Sequence, residues 1–418
     1  MTALSLSQFK AFIGIDWADK KHDLCIQTPD SPDRVFATLS HNPKALDAWA
    51  QALRQQYGSP IAVAVELTKG PLVTALLKYD CFVIFPINPT TLAKYRSAFK
   101  PSRAKDDPTD AALALELVMQ HPERFKPLKP QSPTLRTLAT LVEHRRKLVD
   151  QKTAITNQLR ATLKQFYPQI LDWFAEIDTV LFCHFLARWP MLEKARLART
   201  NTLMNFFRQH NLRHKKVMEK RIAAIKAPAI ALTDDQAIIE PHQLFALTLA
   251  NQLLSLLEAI KHYDERIAKL AFTHQDFAIF DSFPGTGPNL TPRLMVAFGE
   301  QRERFENARS VQEYCGIAPV TERSGNKHWV HWRWKCSTFL RQSFVEWANI
   351  SKRQSYWAGL FYQQQRDKGL SHQAAVRALA FKWIRIMYAC WKSGTLYDES
   401  TYLNALKRRG SSLLAQEK

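Results

Sequence analysis

Four carboxylates in the N-terminal third of this 418-residue chain have a spacing that predicts a divalent-metal site. Asp16 follows the apolar run FIGI, Glu66 follows the apolar run IAVAV, and Asp107 and Asp110 both lie in KDDPTDA. Carboxylates held close together raise one another's pKa unless a cation neutralises them. Hard oxygen ligands suit Mg²⁺ or Mn²⁺, and a pair of such ions can promote phosphodiester cleavage. The set therefore predicts a metal-dependent nuclease chemistry.

Each of these acids also has an ordinary structural explanation. Asp107 and Asp110 are favourable residues for the first turn of a helix, where they cap its N-terminus and complement its dipole. Glu66 could be a structural ion-pair partner at the end of a strand. Asp16 has the fewest alternatives, because it precedes a polar turn and has no helix to cap. Two neighbouring acids could replace a member of the set: Asp19 and Asp106.

The apolar runs around the acids predict an α/β domain over residues 1–130. The expected order of its elements is β-β-β-α-β-α-β-α, which is the order of the RNase H-like fold. In a sheet of that order the first and fourth strands are neighbours, so Asp16 and Glu66 can face each other. The expected strands cover 12–18, 22–28, 34–40, 61–67 and 81–88, and the expected helices cover 43–57, 71–79 and a stretch that begins near Pro108.

The rest of the chain predicts mainly helical structure in two further regions. A proline-rich linker, FKPLKPQSPT, marks a boundary near residue 130. Residues 131–275 form a basic helical region, in which helices over 134–166 and 242–270 are expected to pair as an antiparallel coiled coil. An ordinary helical bundle is the alternative. Residues 276–418 are expected to form a mainly helical C-terminal domain.

The charge balance favours a nucleic-acid partner. The chain has 58 Lys and Arg against 38 Asp and Glu, a net charge of +20, which attracts polyanions. We find no secretory signal and no stretch of 18 or more apolar residues, so we expect no membrane partner. Six cysteines without a CxxC pair fit a reducing cytoplasm and argue against a zinc site.

Two basic segments are candidates for phosphate binding. Residues 188–226 hold eleven Lys and Arg against two Glu, with the densest run at Arg213, Lys215 and Lys216. A solvated helix face is the alternative interpretation. The second candidate is the turn PGTGP, in which Gly285 and Gly287 could let the backbone approach a phosphate at the start of a helix. A plain turn between helices would give the same pattern.

A tryptophan-rich segment, KHWVHWRWKC, follows a possible turn at ERSGN. Trp329 could stack on nucleic-acid bases, although packing in a core strand is equally compatible with the pattern. Arg323, Lys327 and Arg333 could hold phosphate oxygens. Ser324 is a plausible nucleophile beside these cations, and a turn serine without any chemistry is the alternative.

At this point the sequence resembles a known family. The blocks GIDWADKKHD, VELTKG and KDDPTDA are similar to those of the DEDD transposases of bacterial insertion sequences, whose relatives include DNA invertases of the Piv type. The N-terminal domain of that family is similar to Holliday-junction resolvases of the RuvC kind. The resemblance spans about residues 11–400 and includes three later blocks: LARWPMLEKARLA, SFPGTGPNLTPRLMVAFGE and RFENARSVQEYCGIAPVTERSGNKHW.

The resemblance implies a two-part active site. The four acids would bind Mg²⁺ or Mn²⁺, and Ser324 would attack DNA to form a covalent phosphoserine intermediate. The two parts could come from different subunits of a homodimer or homotetramer. Members of the family are guided by a structured noncoding RNA, the bridge RNA, that pairs with donor and target DNA. We therefore expect an RNA-guided DNA recombinase that acts at the nucleoid in the bacterial cytoplasm.

Two other functions fit the same residues. In a resolvase-like nuclease, water activated by the metal would attack the DNA and Ser324 would have no role. In a non-catalytic nucleic-acid-binding scaffold, changes to the acids would leave the function intact.

Overall fold

The computed structural model describes residues 6–67, 69–99 and 107–414, and it leaves the side chains of Leu6 and Asp107 undescribed. The candidate acid Asp106 therefore lies outside the described residues. The chain divides into two compact units, residues 1–130 and residues 131–418, and each is described by itself.

The first unit is built on a five-stranded sheet with the strand order β3-β2-β1-β4-β5. Strand β1 is antiparallel to β2 and parallel to β4, so the expected neighbours are adjacent. The sequence missed one helix, α3. The strands are β1 (Ala11–Asp16), β2 (Lys21–Gln27), β3 (Val35–Ser40), β4 (Ile61–Val65) and β5 (Phe82–Pro86), and the helices are α1 (Pro43–Tyr57), α2 (Pro71–Leu76), α3 (Pro89–Phe99) and α4 (Asp107–Gln120).

Apolar layers cover both faces of this sheet. On one face, Ile13 and Ile15 of β1 pack with buried residues of α1 and α2. On the other face, Phe12 packs with α4 and with Leu92 of α3. Since successive side chains of a strand point to opposite faces, the alternation of FIGID assigns Phe12, Gly14 and Asp16 to the face that α4 covers.

Helix α4 lies in direct contact with strand β1 at Gly14. A Cβ atom added to Gly14 would lie 1.9 Å from the backbone oxygen of Ala111 and 2.8 Å from the amide nitrogen of Leu115. No other residue type fits this space, because both neighbours are backbone atoms of a helix. The contact fixes α4 beside β1 close to both candidate acids. Gly14 is two residues before Asp16, and Ala111 directly follows Asp110.

Two long antiparallel helices form the axis of the second unit. They are α5 (Pro133–Phe166) and α11 (Gln236–Phe272). Ser132 begins α5 by accepting a hydrogen bond from the amide of Leu135, and Arg145 pairs with Asp264 across the two helices. The predicted antiparallel pairing of these two segments is confirmed.

A separate hydrophobic core lies at each end of the helix pair. The last turns of α5 and the first half of α11 pack with the short helices between them. The opposite ends pack with the C-terminal helices around the buried rings of Trp347, Trp357, Trp383 and Trp391. The division of this unit at residue 275 stays a prediction.

The remaining elements of the second unit are short helices and one β-hairpin. They are α6 (Ile170–Trp173), α7 (Val180–Arg188), α8 (Leu192–Leu197), α9 (Thr200–Gln209), α10 (Lys215–Lys226), α12 (Phe277–Asp281), α13 (Gly287–Phe298), α14 (Ala308–Tyr314), β6 (Val320–Ser324), β7 (Lys327–His331), α15 (Thr338–Ser351), α16 (Tyr356–Asp367), α17 (His372–Ser393) and α18 (Glu399–Arg408).

Helix α11 is, among the described residues, the one helix that is long and apolar enough to cross a membrane by length and composition. The core helix of a soluble protein meets the same criteria. In this chain, α11 contributes buried residues to both cores of the second unit.

The contact at Gly14 generates a stability prediction. Gly14→Ala forces α4 away from β1, and overpacking of this kind destabilises a protein by about 1–3 kcal/mol. Urea unfolding measures the loss, and hydrogen exchange of the α4 amides locates it. Ile13→Val is the matched control, because it removes one methyl group from the other face at a cost of about 1 kcal/mol and leaves α4 protected. A Gly14→Ala protein as stable as the wild type would contradict the packing described here.

Candidate active site

Asp16 ends β1 on the side of the sheet that faces α4. Its partner across the antiparallel pair is Asp23 of β2, and directly opposite residues of such a pair share one face. Asp23 is only 7% exposed. Asp23 was not among the predicted ligands, so the structure adds a carboxylate beside Asp16.

Glu66 lies next to Asp16 at the same edge of the sheet. Strands β1 and β4 are parallel, and their register ends with Ile15 beside Val65. Asp16 is the last residue of β1, and Glu66 directly follows the last residue of β4. Their backbones are therefore adjacent. The carboxyl ends of two parallel strands thus bring these two acids together, as their positions after apolar runs predicted.

Helix α4 brings Asp107 and Asp110 to this region. Asp107 is the first residue of α4, but its side chain is among those that the structure leaves undescribed. Asp110 is 1% exposed and accepts hydrogen bonds from Nε and Nη2 of Arg96, both at 2.5 Å. This bidentate ion pair joins α4 to α3.

Further polar contacts join α4 to α3 and to the residue before β3. The hydroxyl of Tyr95 donates to Oε1 of Glu116 at 2.8 Å, and Nη2 of Arg34 donates to the other oxygen of Glu116 at 3.1 Å. Burial, followed by the contact with Glu116, raises the pKa of Tyr95 to about 12. Leu92 of α3 is buried in the same layer. Arg96 is therefore presented from a fixed helix.

The carboxylates do not form a metal-binding cluster within the described part of the chain. Among residues 6–67, 69–99 and 107–414, no group of three or more His, Cys, Asp or Glu is close enough to hold a metal ion. Asp110 is directed to Arg96, and the side chain of Asp107 is outside the description. The structure thus assembles Asp16, Glu66 and the start of α4 at one edge, without showing a ligand shell.

Two residues at this edge escaped the sequence analysis for different reasons. Asp23 had a signal, because an acid in the buried strand KHDLCIQ interrupts its apolar side. Arg96 had none, because its pairing with Asp110 depends on the packing of α3 against α4.

A histidine pair, of which His22 is buried and His41 half-buried, supports the strand that carries Asp23. His22 is fully buried, and its Nε2 lies 2.9 Å from Nδ1 of His41. Burial, together with His41, lowers the pKa of His22 to about 4. His22 is therefore neutral at physiological pH.

Ser324 lies at the tip of an exposed β-hairpin in the second unit. It pairs with Lys327 at the end of the ladder, which leaves Gly325 and Asn326 as a two-residue turn. Gly325 has φ of +56°, a conformation that favours glycine in such turns. Ser324, Arg323 and Lys327 are all exposed. Lys327 lies directly opposite Ser324 and shares its face of the hairpin, whereas the preceding Arg323 lies on the other face.

The tryptophans after this turn are not core residues. Trp329 is 43% exposed and Trp334 is 78% exposed. Two guanidinium groups lie over the ring of Trp332, that of Arg341 at 4.7 Å and that of Arg377 at 4.3 Å from the ring centre. The core-packing alternative is therefore wrong for Trp329 and Trp334.

Arg333 has a structural role beside any role in binding. Its Nε donates to the backbone oxygen of Ala318 at 3.0 Å, and its side chain lies 3.8 Å from Glu313. Its predicted contact with nucleic acid would have to compete with these bonds.

The PGTGP turn is packed against protein at one of its glycines. A Cβ added to Gly285, which has φ of +78°, would lie 2.8 Å from the side chain of Ile350 in α15. The same atom at Gly287 meets nothing within 4 Å. The packing explains Gly285 as an inter-helix turn residue, and phosphate contact at Gly287 stays a prediction.

The basic segment 188–226 divides into internal and surface cations. Arg213, Lys215 and Lys216 are exposed at and before the start of α10. Other cations of the segment are half-buried and donate to backbone oxygens: Arg196, Arg221 and Lys226. The cationic surface is therefore smaller than the sequence count indicates.

Comparison with known families gives two matches. Residues 13–168 match the transposase family of DEDD type named for IS110, and residues 278–363 match the transposase family IS116/IS110/IS902. The first match contains Asp16, Glu66, Asp107 and Asp110, and the second contains Ser324.

Three relatives span nearly the whole chain. A Streptomyces coelicolor protein named as a candidate mini-circle transposase for IS117 is 29% identical over 401 residues, which cover 93% of this chain and 95% of that protein. The uncharacterized 44.8 kDa protein of insertion element IS116 from Streptomyces clavuligerus is 24% identical, covering 94% and 98%. The uncharacterized 42 kDa protein of IS900 from Mycobacterium paratuberculosis is 24% identical, covering 93% and 97%.

The neutral His22 predicts a pH dependence of stability. Its pKa of about 4 in the folded chain lies below the ordinary 6.5, so the unfolded chain takes up a proton first as the pH falls. The stability that His22 contributes is present above pH 6.5 and is lost between 6.5 and 4, by on the order of 2 kcal/mol. Urea unfolding at neutral pH and near pH 5 measures this loss of stability. In the His22→Gln protein, the free energy of unfolding should differ less between the two pH values. An equal pH dependence in both proteins would sink the prediction.

Proposed function

Since the chain belongs to the IS116/IS110/IS902 family of insertion-sequence transposases, we propose that it is an RNA-guided DNA recombinase with a serine nucleophile and a metal-binding carboxylate site. The observation that supports this most is the convergence of Asp16, Glu66 and the start of α4 at one edge of the sheet. The strand order of that sheet is also the order of RuvC-like nucleases, which fits the proposed chemistry.

The carboxylate edge suits Mg²⁺ or Mn²⁺. Its donors are hard oxygens, and a buried Asp110 requires a cation, a role that Arg96 has in this structure. Asp16, Glu66, Asp107 and Asp110 would hold the ion. When bound, such an ion stabilises the negative charge that develops on phosphate oxygens.

Ser324 would supply the nucleophile. Its oxygen forms an ester bond with the phosphorus while the bond from phosphorus to the departing DNA oxygen breaks, and the serine proton passes to that oxygen. The exchange conserves a phosphodiester, so the DNA can be rejoined without ATP. Arg323 and Lys327, which flank the exposed hydroxyl on the hairpin, would hold the phosphate.

The basic and aromatic surfaces of the second unit would hold donor DNA, target DNA and a structured guide RNA. Exposed Trp329 and Trp334 can stack on bases, and the cations at the start of α10 can bind the sugar-phosphate backbone. A homodimer or homotetramer could combine the metal site of one subunit with the serine of another. The three-domain division at residues 130 and 275 belongs to this proposal.

The serine mechanism predicts a specific pattern of lost activity. In cells that carry the gene with its native flanking noncoding DNA, Ser324→Ala and Asp16→Asn should each abolish formation of excised circles. A loss of at least about 10³-fold is expected for either change, because each removes a group that acts on the reacting phosphate. Polymerase chain reaction across the circle junction measures the product.

Two outcomes would favour the other functions. Normal circles from Ser324→Ala, with none from Asp16→Asn, would identify a nuclease that uses water. Normal function from both variants would identify a non-catalytic scaffold. Ser310→Ala is the matched control, because Ser310 is also a serine of the C-terminal domain but lies in α14, and circles should form normally.

The surface cations at the start of α10 generate a binding prediction. Replacing Arg213, Lys215 and Lys216 by Ala should reduce the slope of log affinity against log salt by about 2 to 3 for a DNA duplex, roughly one per lost phosphate contact. Fluorescence anisotropy over a salt series measures the slope. The same change at the exposed α11 residues Lys261, Arg266 and Lys269 removes equal charge elsewhere. Equal slopes of log affinity against log salt for both triple variants would contradict a phosphate-binding surface at the start of α10.

A further inference from the structure

The ion pair between Arg96 and Asp110 occupies a ligand that the proposed metal site needs. Both oxygens of Asp110 accept from the same guanidinium at 2.5 Å, and the carboxylate is almost fully buried. A carboxylate that accepts from a guanidinium with both oxygens has only its outer lone pairs left for a metal ion, and the neighbouring positive charge repels that ion. Metal binding by Asp110 is therefore stronger when Arg96 releases it.

A released Arg96 would need another anion. Its guanidinium is always charged, and its side chain is mostly buried, so it cannot simply be left without a partner. Helix α3 is held in place by Leu92 and Tyr95, so the side chain can turn while its backbone stays. The anion brought to this edge during the proposed reaction is a DNA phosphate, whose oxygens match the guanidinium fork.

We infer that Arg96 is a phosphate-binding residue of the active site, which neutralises Asp110 in the absence of metal and transfers to the DNA backbone when metal binds. The inference rests on the proposed function. It makes metal and DNA binding cooperative, because each takes one member of the same ion pair.

A double-mutant cycle tests this exchange without any metal present. In EDTA, Asp110→Asn should release Arg96 and raise affinity for a mixed-sequence DNA duplex by about 3- to 10-fold, with about one more counterion in the salt slope. In an Arg96→Gln background the same change should give no gain. Fluorescence anisotropy measures all four proteins, after circular dichroism has verified that each is folded.

A matched control separates this effect from the simple loss of a negative charge. Glu116→Gln removes another carboxylate of α4 that also contacts α3, and it should leave DNA affinity unchanged. An equal gain from Asp110→Asn with and without Arg96 would overturn the inference. So would an equal gain from Glu116→Gln.

Calorimetric titration with Mn²⁺ alone gives a second, independent readout. Arg96→Gln should bind Mn²⁺ about 10-fold more tightly than the wild type, because no cation competes for Asp110, whereas Arg96→Lys should lie between them. Equal Mn²⁺ affinity in all three proteins would overturn the exchange even if Asp110→Asn does not fold. Absence of Mn²⁺ binding in every protein would instead contradict the proposed metal site, and the DNA cycle would still decide the role of Arg96.

Discussion

The missing side chain at Gly14 determines how closely helix α4 approaches strand β1. With 1.9 Å between a would-be Cβ and the oxygen of Ala111, any larger residue separates the two elements. The first turn of α4 is the source of two candidate ligands, and β1 is the source of a third. One glycine in the strand thus controls the geometry of a site whose acids include Asp16, two residues along the strand, and Asp110, next to the contacted Ala111.

Charge neutralisation is the second constraint on this edge. Asp23 and Asp110 are both nearly excluded from water. Asp16 is the cross-strand partner of Asp23, and Glu66 follows the last residue of the neighbouring parallel strand. A concentration of carboxylates in that setting is unfavourable unless a cation is present. The guanidinium of Arg96 meets part of this requirement within the chain itself, and the proposed metal would meet it during catalysis. The same electrostatic need therefore links the stability of the folded unit to its proposed chemistry.

The sequence alone predicted those strands and helices whose structure follows from their own local pattern of apolar residues. The apolar runs FIGI and IAVAV identified two neighbouring strands and the acids that follow them. The long periodic segments identified α5 and α11. Helix α3, in contrast, is a short segment of mixed polarity that gave no clear periodic signal, and Arg96 was missed with it. A count of charges also could not separate surface cations from residues such as Arg221, which lies 4.5 Å from the ring centre of Phe174 inside the bundle.

The hairpin of β6 and β7 shows the same division between local and tertiary information. ERSGN predicted a turn at Ser324, and the two-residue turn at Gly325 and Asn326 follows from local chemistry alone. Whether the following tryptophans were buried depended on the rest of the unit, and the structure exposes two of them. An exposed hydroxyl beside cations and aromatic rings is an arrangement suited to a nucleic-acid substrate.

We propose above all that the edge formed by Asp16, Glu66 and the first turn of α4 binds a divalent cation. Crystals of the chain soaked in Mn²⁺ and measured at the manganese absorption edge would test it most directly. We expect an anomalous peak between these carboxylates, with Asp110 turned from Arg96 towards the ion. A fully soaked crystal with Arg96 still paired to Asp110 and no peak at this edge would contradict it.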